Sequence, residues 1–99
     1  MYKGKIMQFT WDDGKSHGNK RKHQVDFETA ARVFLDPNRL EYYDTEHAGK
    51  EERWITIGLV DPLVLLVAYT ERGKTIRIIS ARRANKNEQK EYYKIQSRT

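Results

Sequence analysis

Apolar and polar residues alternate with a period of two through much of the second half of the chain. From Arg53 to Val60 this puts Arg53, Ile55, Ile57 and Leu59 on one face and Trp54, Thr56, Gly58 and Val60 on the other. Leu63 to Tyr69 is apolar on both faces, which marks a central strand covered above and below, and Asp61-Pro62 supplies the turn before it. From Thr75 onward alternation predicts a third strand, with Ile76, Ile78 and Ser80 on one side and Thr75, Arg77, Ile79 and Ala81 on the other. Glu71-Arg72-Gly73-Lys74 between the last two is polar, contains a glycine able to take positive φ, and reads as a tight hairpin. The period changes earlier in the chain. Behind Asp26, Phe27, Ala30, Ala31 and Phe34 follow i, i+3, i+4, i+7, so a helix capped by Asp26 buries one face and ends at Asp36-Pro37-Asn38.

Lys5 to Trp11 alternates as a short strand with Met7, Phe9 and Trp11 on one side. Asp12 or Asp13 can then cap a helix in which Lys15, Asn19, Lys22 and His23 share one face. That face is wholly polar. Gly14 and Gly18 each cost up to about 1 kcal/mol relative to Ala, and no large apolar residue lies between Trp11 and Val25 to dock the segment. It is therefore either a solvated basic helix or loop, or a phosphate-contacting face in which His23 helps bind or move protons. Arg39 to Tyr43 fits a further strand, and Asp44 to Glu52 a polar loop holding His47. Asn85-Lys86-Asn87-Glu88 has the form of a capping box, opening a helix from Lys86 to about Gln96 with Glu88, Glu91, Tyr92 and Ile95 on one face. Residues 96–99 are expected to fray. The order of elements is α+β: a short N-terminal strand, two helices, an antiparallel strand meander and a C-terminal helix. The Phe27/Phe34 helix can cover one face of the central strand, which leaves the other to the C-terminal helix or a partner protein.

Ninety-nine residues suit one domain spanning 1–99, which at this size buries roughly 65% of the surface its unfolded chain exposes. Charged residues make up 33% of the chain, yet its apolar 37% is gathered into strand-like runs, which argues against disorder. A net charge of +5 favours a polyanionic partner, nucleic acid before membrane, since no basic amphipathic helix with bulky apolar residues appears. With no cysteine, disulfides, thiol nucleophiles and thiolate metal sites are excluded. The longest apolar run falls far short of the roughly 20 residues of a membrane helix, and no signal-peptide core follows Met1, so a soluble, cytoplasmic protein is expected.

Three dispersed histidines make no metal site, and neither a Gly-rich phosphate loop nor G-x-S-x-G is present; no metal or cofactor is expected. Glu51-Glu52 beside Arg53 reads as an exposed turn or an arginine's partner. Arg77 falls mid-strand among apolar neighbours, where its donors require either a structural carboxylate or a bound anion. The cations Lys15, Lys22, His23, Arg53, Arg72, Arg77, Arg82 and Arg83, with Trp54, Tyr42, Tyr69 and Tyr92 as stacking surfaces, suit single-stranded RNA. Cutting RNA without a metal needs a base for the 2′-hydroxyl, cations for the phosphorane and an acid for the leaving 5′-oxygen. From these residues alone the reading stops at a basic α+β nucleic-acid-binding domain.

The chain is also similar to a known family. Phe9-Thr10-Trp11-Asp12-x-x-Lys15-x-x-x-Asn19-x-x-Lys22-His23-x-Val25-x-Phe27-Glu28-x-Ala30, Val33-Phe34-Leu35-Asp36-Pro37, Glu51-Glu52-Arg53-Trp54-x-x-Ile57-Gly58, and Tyr69-Thr70-Glu71-Arg72-Gly73 with Ile76 to Ala84 stand in order. Together they resemble BrnT, the toxin of BrnT/BrnA type II toxin–antitoxin systems. Asp13-Gly14 stands where many members carry proline with a small residue, and Gln24 where glycine commonly follows the Lys-His pair. The resemblance implies a RelE-like fold, an endoribonuclease that halts translation and growth, and neutralisation by a BrnA-like antitoxin whose DNA-binding domain lets the complex repress its own operon through operator DNA. On this footing Arg53, Arg77 and Arg83 are expected to converge on the scissile phosphate, with Lys22 and His23 near the proton transfers and Glu52 a candidate base. Lys15, Asn19, Trp54, Arg72, Ser80, Arg82 and Tyr92 are expected along the RNA. The alternative is a non-catalytic basic nucleic-acid-binding module.

Overall fold

The computed structural model describes residues 8–46, 49 and 51–96. Met7 of the expected first strand, His47 of the loop and the tail 97–99 lie outside the described residues, as does the side chain of Ile95. Strand β1 is Gln8–Thr10, α1 Asp13–His23 and α2 Phe27–Ala31, which tightens into a 3₁₀ turn over Arg32–Leu35. Then come β2 Leu40–Tyr43, β3 Trp54–Val60, β4 Leu63–Arg72, β5 Thr75–Arg83 and α3 Lys86–Gln96. The strands form a single sheet in the order β1-β5-β4-β3-β2, antiparallel except where β1 runs parallel to β5. This is a mixed α+β arrangement with β4 at its centre.

Because β4 is apolar on both faces, it is buried twice. On the first face Val25, Phe27, Ala30, Val33 and Phe34 from the α2 region close over Leu65, Val67, Tyr69, Ile76, Ile78 and Ala81. On the second, α3 lays Tyr92 against Ile57, Val64 and Ala84, with Leu40, Ile55, Leu59 and Leu66 beside them. The C-terminal helix therefore covers the second face there. The predicted capping box forms as written: Glu88 N–H donates to Asn85 Oδ1 and Asn85 N–H to Glu88 Oε1, both at 2.8 Å.

One expectation fails for a local reason. Ala68 is opposite Ser80, but Tyr69 is opposite Ile78, so Ile79 is an extra residue on β5. Such a bulge inverts the alternation beyond it. Ala81 therefore joins Ile76 and Ile78 on the first face, and Ser80 falls with Arg77 on the second, contrary to uniform alternation.

Asp36 does more than end a helix. Its carboxylate is buried and accepts from Leu59 N–H at 2.8 Å, Asn38 N–H at 2.9 Å and the Tyr92 hydroxyl at 2.5 Å, joining the 3₁₀ turn, β3 and α3. Burial, reinforced by that carboxylate, pushes the Tyr92 hydroxyl's pKa up, so it stays a donor. Gly58 permits the approach, since a Cβ there would lie 2.6 Å from Val33 Cγ2 and 3.1 Å from Arg39 Cβ. Tyr92→Phe is expected to cost about 1–3 kcal/mol, because it leaves a buried carboxylate short of a donor; urea unfolding measures it.

Candidate functional site

The uncovered chemistry of the sheet lies on the second face, where β4 and β5 run on beyond α3. Arg77 is opposite Thr70 across the β4–β5 ladder and opposite Thr10 of β1, which fixes its strand position from both sides. Arg72 reaches Glu51 with two parallel bonds, Nε to Oε2 at 2.8 Å and Nη2 to Oε1 at 2.9 Å. That bond is the main reason the Glu51 carboxyl is held below its ordinary pKa, and Arg77 and Arg53 add to the effect by their charge. Arg72 thus grips this surface carboxylate, and Arg77 of β5 and Arg53 of the lead into β3 act on it through their charge alone. The Glu51-Arg72 pair also accords with reading Glu51-Glu52 as an arginine's partner.

The segment before β3 is held at successive carbonyls. Glu52 C=O accepts from Thr70 Oγ1 at 2.7 Å, and Arg53 C=O from Asp44 N–H at 2.9 Å. The Glu52 side chain is exposed beside this anchored backbone.

Arg83 does not join the cluster. It is opposite Leu65, a fully buried residue of the first face, whereas Arg77 is opposite Thr70 on the second. Five residues of β4 separate the two rungs, about 17 Å along a strand. Arg83 therefore stands apart from Arg77, against the expected convergence of Arg53, Arg77 and Arg83, whereas Arg72 shares the second face with Arg77. Two causes combine: Arg77 and Arg83 lie toward opposite ends of one extended strand, and the extra residue at Ile79 puts them on opposite faces as well. Among the described residues none of Arg53, Arg77 and Arg83 forms an ion pair with a carboxylate.

Several other expected RNA contacts are engaged within the protein. The Asn19 side-chain NH₂ donates to Val25 C=O and Ala81 C=O, each at 2.7 Å, and its Oδ1 accepts from Ala81 N–H at 3.3 Å. It thereby continues the edge of β5 where β1 stops. With Ser16 Oγ accepting from Phe27 N–H at 2.9 Å, this explains how a helix with no apolar stripe docks. The Tyr92 ring is buried under α3, and Tyr69 is equally buried. Arg82 grips Glu88 through two 2.8 Å bonds. Trp54 is half-buried on the first face, edge-on to Tyr43. Ser80 is exposed on the second face.

Lys15 is exposed in the first turn of α1, and Lys22 and His23 are exposed in its last, with Lys20 and Arg21. The helix ends at Gln24, whose φ of 63° is the left-handed conformation glycine favours and whose N–H bonds Lys20 C=O. Lys22 and His23 follow the Asn19 tether by one turn, and Arg83 follows Ala81 by two residues. These cations thus form a second group at the other end of β5.

Among the described residues no group of three or more His, Cys, Asp or Glu side chains could hold a metal ion, and no helix is long and apolar enough to cross a membrane. The fold and site are those of a basic α+β domain with an arginine cluster suited to an anionic ligand. Residues 11–88 match the family model of BrnT, described as the ribonuclease toxin of a type II toxin–antitoxin system. The chain belongs to the BrnT family, which is one of ribonuclease toxins and implies an antitoxin partner. No curated protein matches the chain.

Two outcomes follow from this geometry. Asn19→Ala leaves Val25 C=O and both polar groups of Ala81 without their partner and is expected to cost about 2–4 kcal/mol, read by chemical denaturation. Glu88 titrates below its ordinary value chiefly through its bond from Arg82, helped by Asn85 N–H. Its stabilising contribution is therefore present above the ordinary carboxylate range and lost as pH falls through the lowered value. The melting temperatures of the parent and Glu88→Gln are expected to differ near neutrality and to approach each other as pH falls below the ordinary carboxylate range.

Proposed function

We propose that the protein is a metal-independent endoribonuclease toxin of RelE-like fold. The reading is supported most by one observation: Arg72 and Arg77 share one end of the sheet's second face, Arg72 grips the Glu51 carboxylate there, and the charges of Arg77 and Arg53 act on the same carboxylate. Glu51 marks where an anion rests in the cluster, and an RNA phosphate takes that place when substrate arrives. Exposed Glu52 takes the 2′-hydroxyl proton as that oxygen attacks phosphorus, Arg53 and Arg77 carry the charge that collects on the phosphorane, and a water molecule protonates the leaving 5′-oxygen as its bond to phosphorus breaks. Lys22, His23 and Arg83 meet phosphates of the flanking strand at the second cationic group, and Lys15 and Ser80 lie along the approach. The antitoxin that family membership implies is a BrnA-like protein with a DNA-binding domain, and the complex represses its own operon. The site of action is the cytoplasm.

The purified protein is expected to cut a mixed-sequence single-stranded RNA in EDTA and to leave 2′,3′-cyclic phosphate ends. Arg77→Ala is expected to lower the rate by about 10²-fold or more with its melting temperature unchanged. A fully active Arg77→Ala would refute the assignment. The division of cations between two faces also suits a surface that binds a strand without cutting it. Intact RNA retained on the protein in a salt-dependent manner would establish that second reading instead.

A further inference from the structure

We infer that Thr70 is a positioning residue that sets the distance between Arg53, Glu52 and Arg77; the inference rests on the nuclease reading above. Thr70 is 3% exposed and polar, and stands where the run Leu63–Tyr69, apolar on both faces, gives way to exposed Glu71 and Arg72; burial of its methyl group alone gives no reason for a hydroxyl there. Among the described residues the hydroxyl donates to Glu52 C=O at 2.7 Å. The β3–β4 ladder stops at the pair Trp54 and Tyr69. Thr70 is the next residue beyond that rung, so its side chain continues the contact where the backbone ladder ends.

The consequence is geometric. Thr70 is directly opposite Arg77 on the neighbouring strand, and side chains so placed stand about 4.5–5.5 Å apart at Cβ. One residue thus touches the lead into β3 through its hydroxyl and flanks Arg77 through its backbone position. Asp44 N–H holds Arg53 C=O from the other side, so Glu52 and Arg53 are clamped between two strands. Without the Thr70 bond, Asp44 alone fixes the segment, and Arg53 and Glu52 gain freedom relative to Arg77. Groups that must meet a phosphorane lose effectiveness steeply with small displacements, while ground-state attraction to a polyanion barely changes. Thr70 itself meets no substrate.

The test compares Thr70→Val, which keeps shape and removes the hydroxyl, with Thr70→Ser, which keeps the hydroxyl and removes the methyl. Both are assayed on 5′-labelled mixed-sequence single-stranded RNA well below their melting temperatures, with the folded fraction checked by circular dichroism. Thr70→Val is expected to lose at least about 10-fold in kcat with KM within about 3-fold of the parent, and Thr70→Ser to stay within about 3-fold in both. Thr70→Val also leaves Glu52 C=O without its donor, so activities are compared per folded molecule, and a loss in Thr70→Val beyond its loss of folded protein reports position and not stability. If Thr70→Val cleaves as fast as the parent while Arg77→Ala does not, the positioning role is overturned and the nuclease reading stands. If both cleave like the parent, or the parent itself does not cleave, the nuclease reading fails and this inference with it. If activity follows the folded fraction alone in both Thr70 variants, Thr70 is merely structural and the inference is overturned.

Discussion

The need to bury β4 on both faces governs the rest of the molecule. A strand reading Leu-Val-Leu-Leu-Val-Ala-Tyr has no face to give to water, so α2 must close one side and α3 the other. On the second face Tyr92 of α3 packs against Ile57, Val64 and Ala84, at the other end of the β4–β5 pair from Arg72 and Arg77. At the Arg72 and Arg77 end the strands and their turn carry exposed Glu71, Arg72 and Lys74 and half-buried Arg77 beside buried Thr70 and Ile76. The arginine cluster occupies that margin. Its members sit on regular strands or on a backbone anchored to them, which gives them more fixed positions than a loop would.

Side chains complete the backbone pairing where strands run out. Asn19 takes the place of a neighbouring strand along β5, Asp36 does so for Leu59 at the edge of β3, and Thr70 does so for Glu52. A small five-stranded sheet with short edges β1 and β2 would otherwise leave these groups to water or unpaired. In Asn19 this has a price in function as well as a benefit: a residue whose amide is occupied on both sides is no longer free to meet a nucleotide.

Much of the fold was legible in the sequence, because it rests on period and punctuation. The two-faced Leu63–Tyr69 run, the Phe27/Ala30/Ala31/Phe34 stripe, the Asp26 cap and the Asn85/Glu88 box all act locally and form as read. What could not be read is long-range. Nothing in Ile78-Ile79-Ser80 announces an extra residue, since a bulge is a property of the pair of strands and not of either one. That single unseen residue turned Arg83 to the face opposite Arg77, on a strand whose length already held the two apart. The uses of Asn19 and Ser16 were equally hidden, for a polar helix face looks the same whether it faces solvent or a strand edge. Two signals were available: a buried-strand threonine at Thr70, and an aspartate before proline followed later by a tyrosine on a helical apolar face, Asp36 and Tyr92.

The chemistry follows from which cations share a face. Family membership makes the chain a ribonuclease toxin, and the geometry divides its basic residues into a cluster around Glu51 and a second group where α1 and β5 end. The account holds that one phosphate sits among Arg53, Arg72 and Arg77. Side-chain NMR of arginine ¹⁵Nε–Hε groups, during titration with a mixed-sequence RNA made of uncuttable 2′-O-methyl riboses, tests that claim directly. The signals of Arg53, Arg72 and Arg77 should move together along one binding curve as Glu51 loses its partner. Signals for those three that stay still while Arg83 alone responds would contradict it.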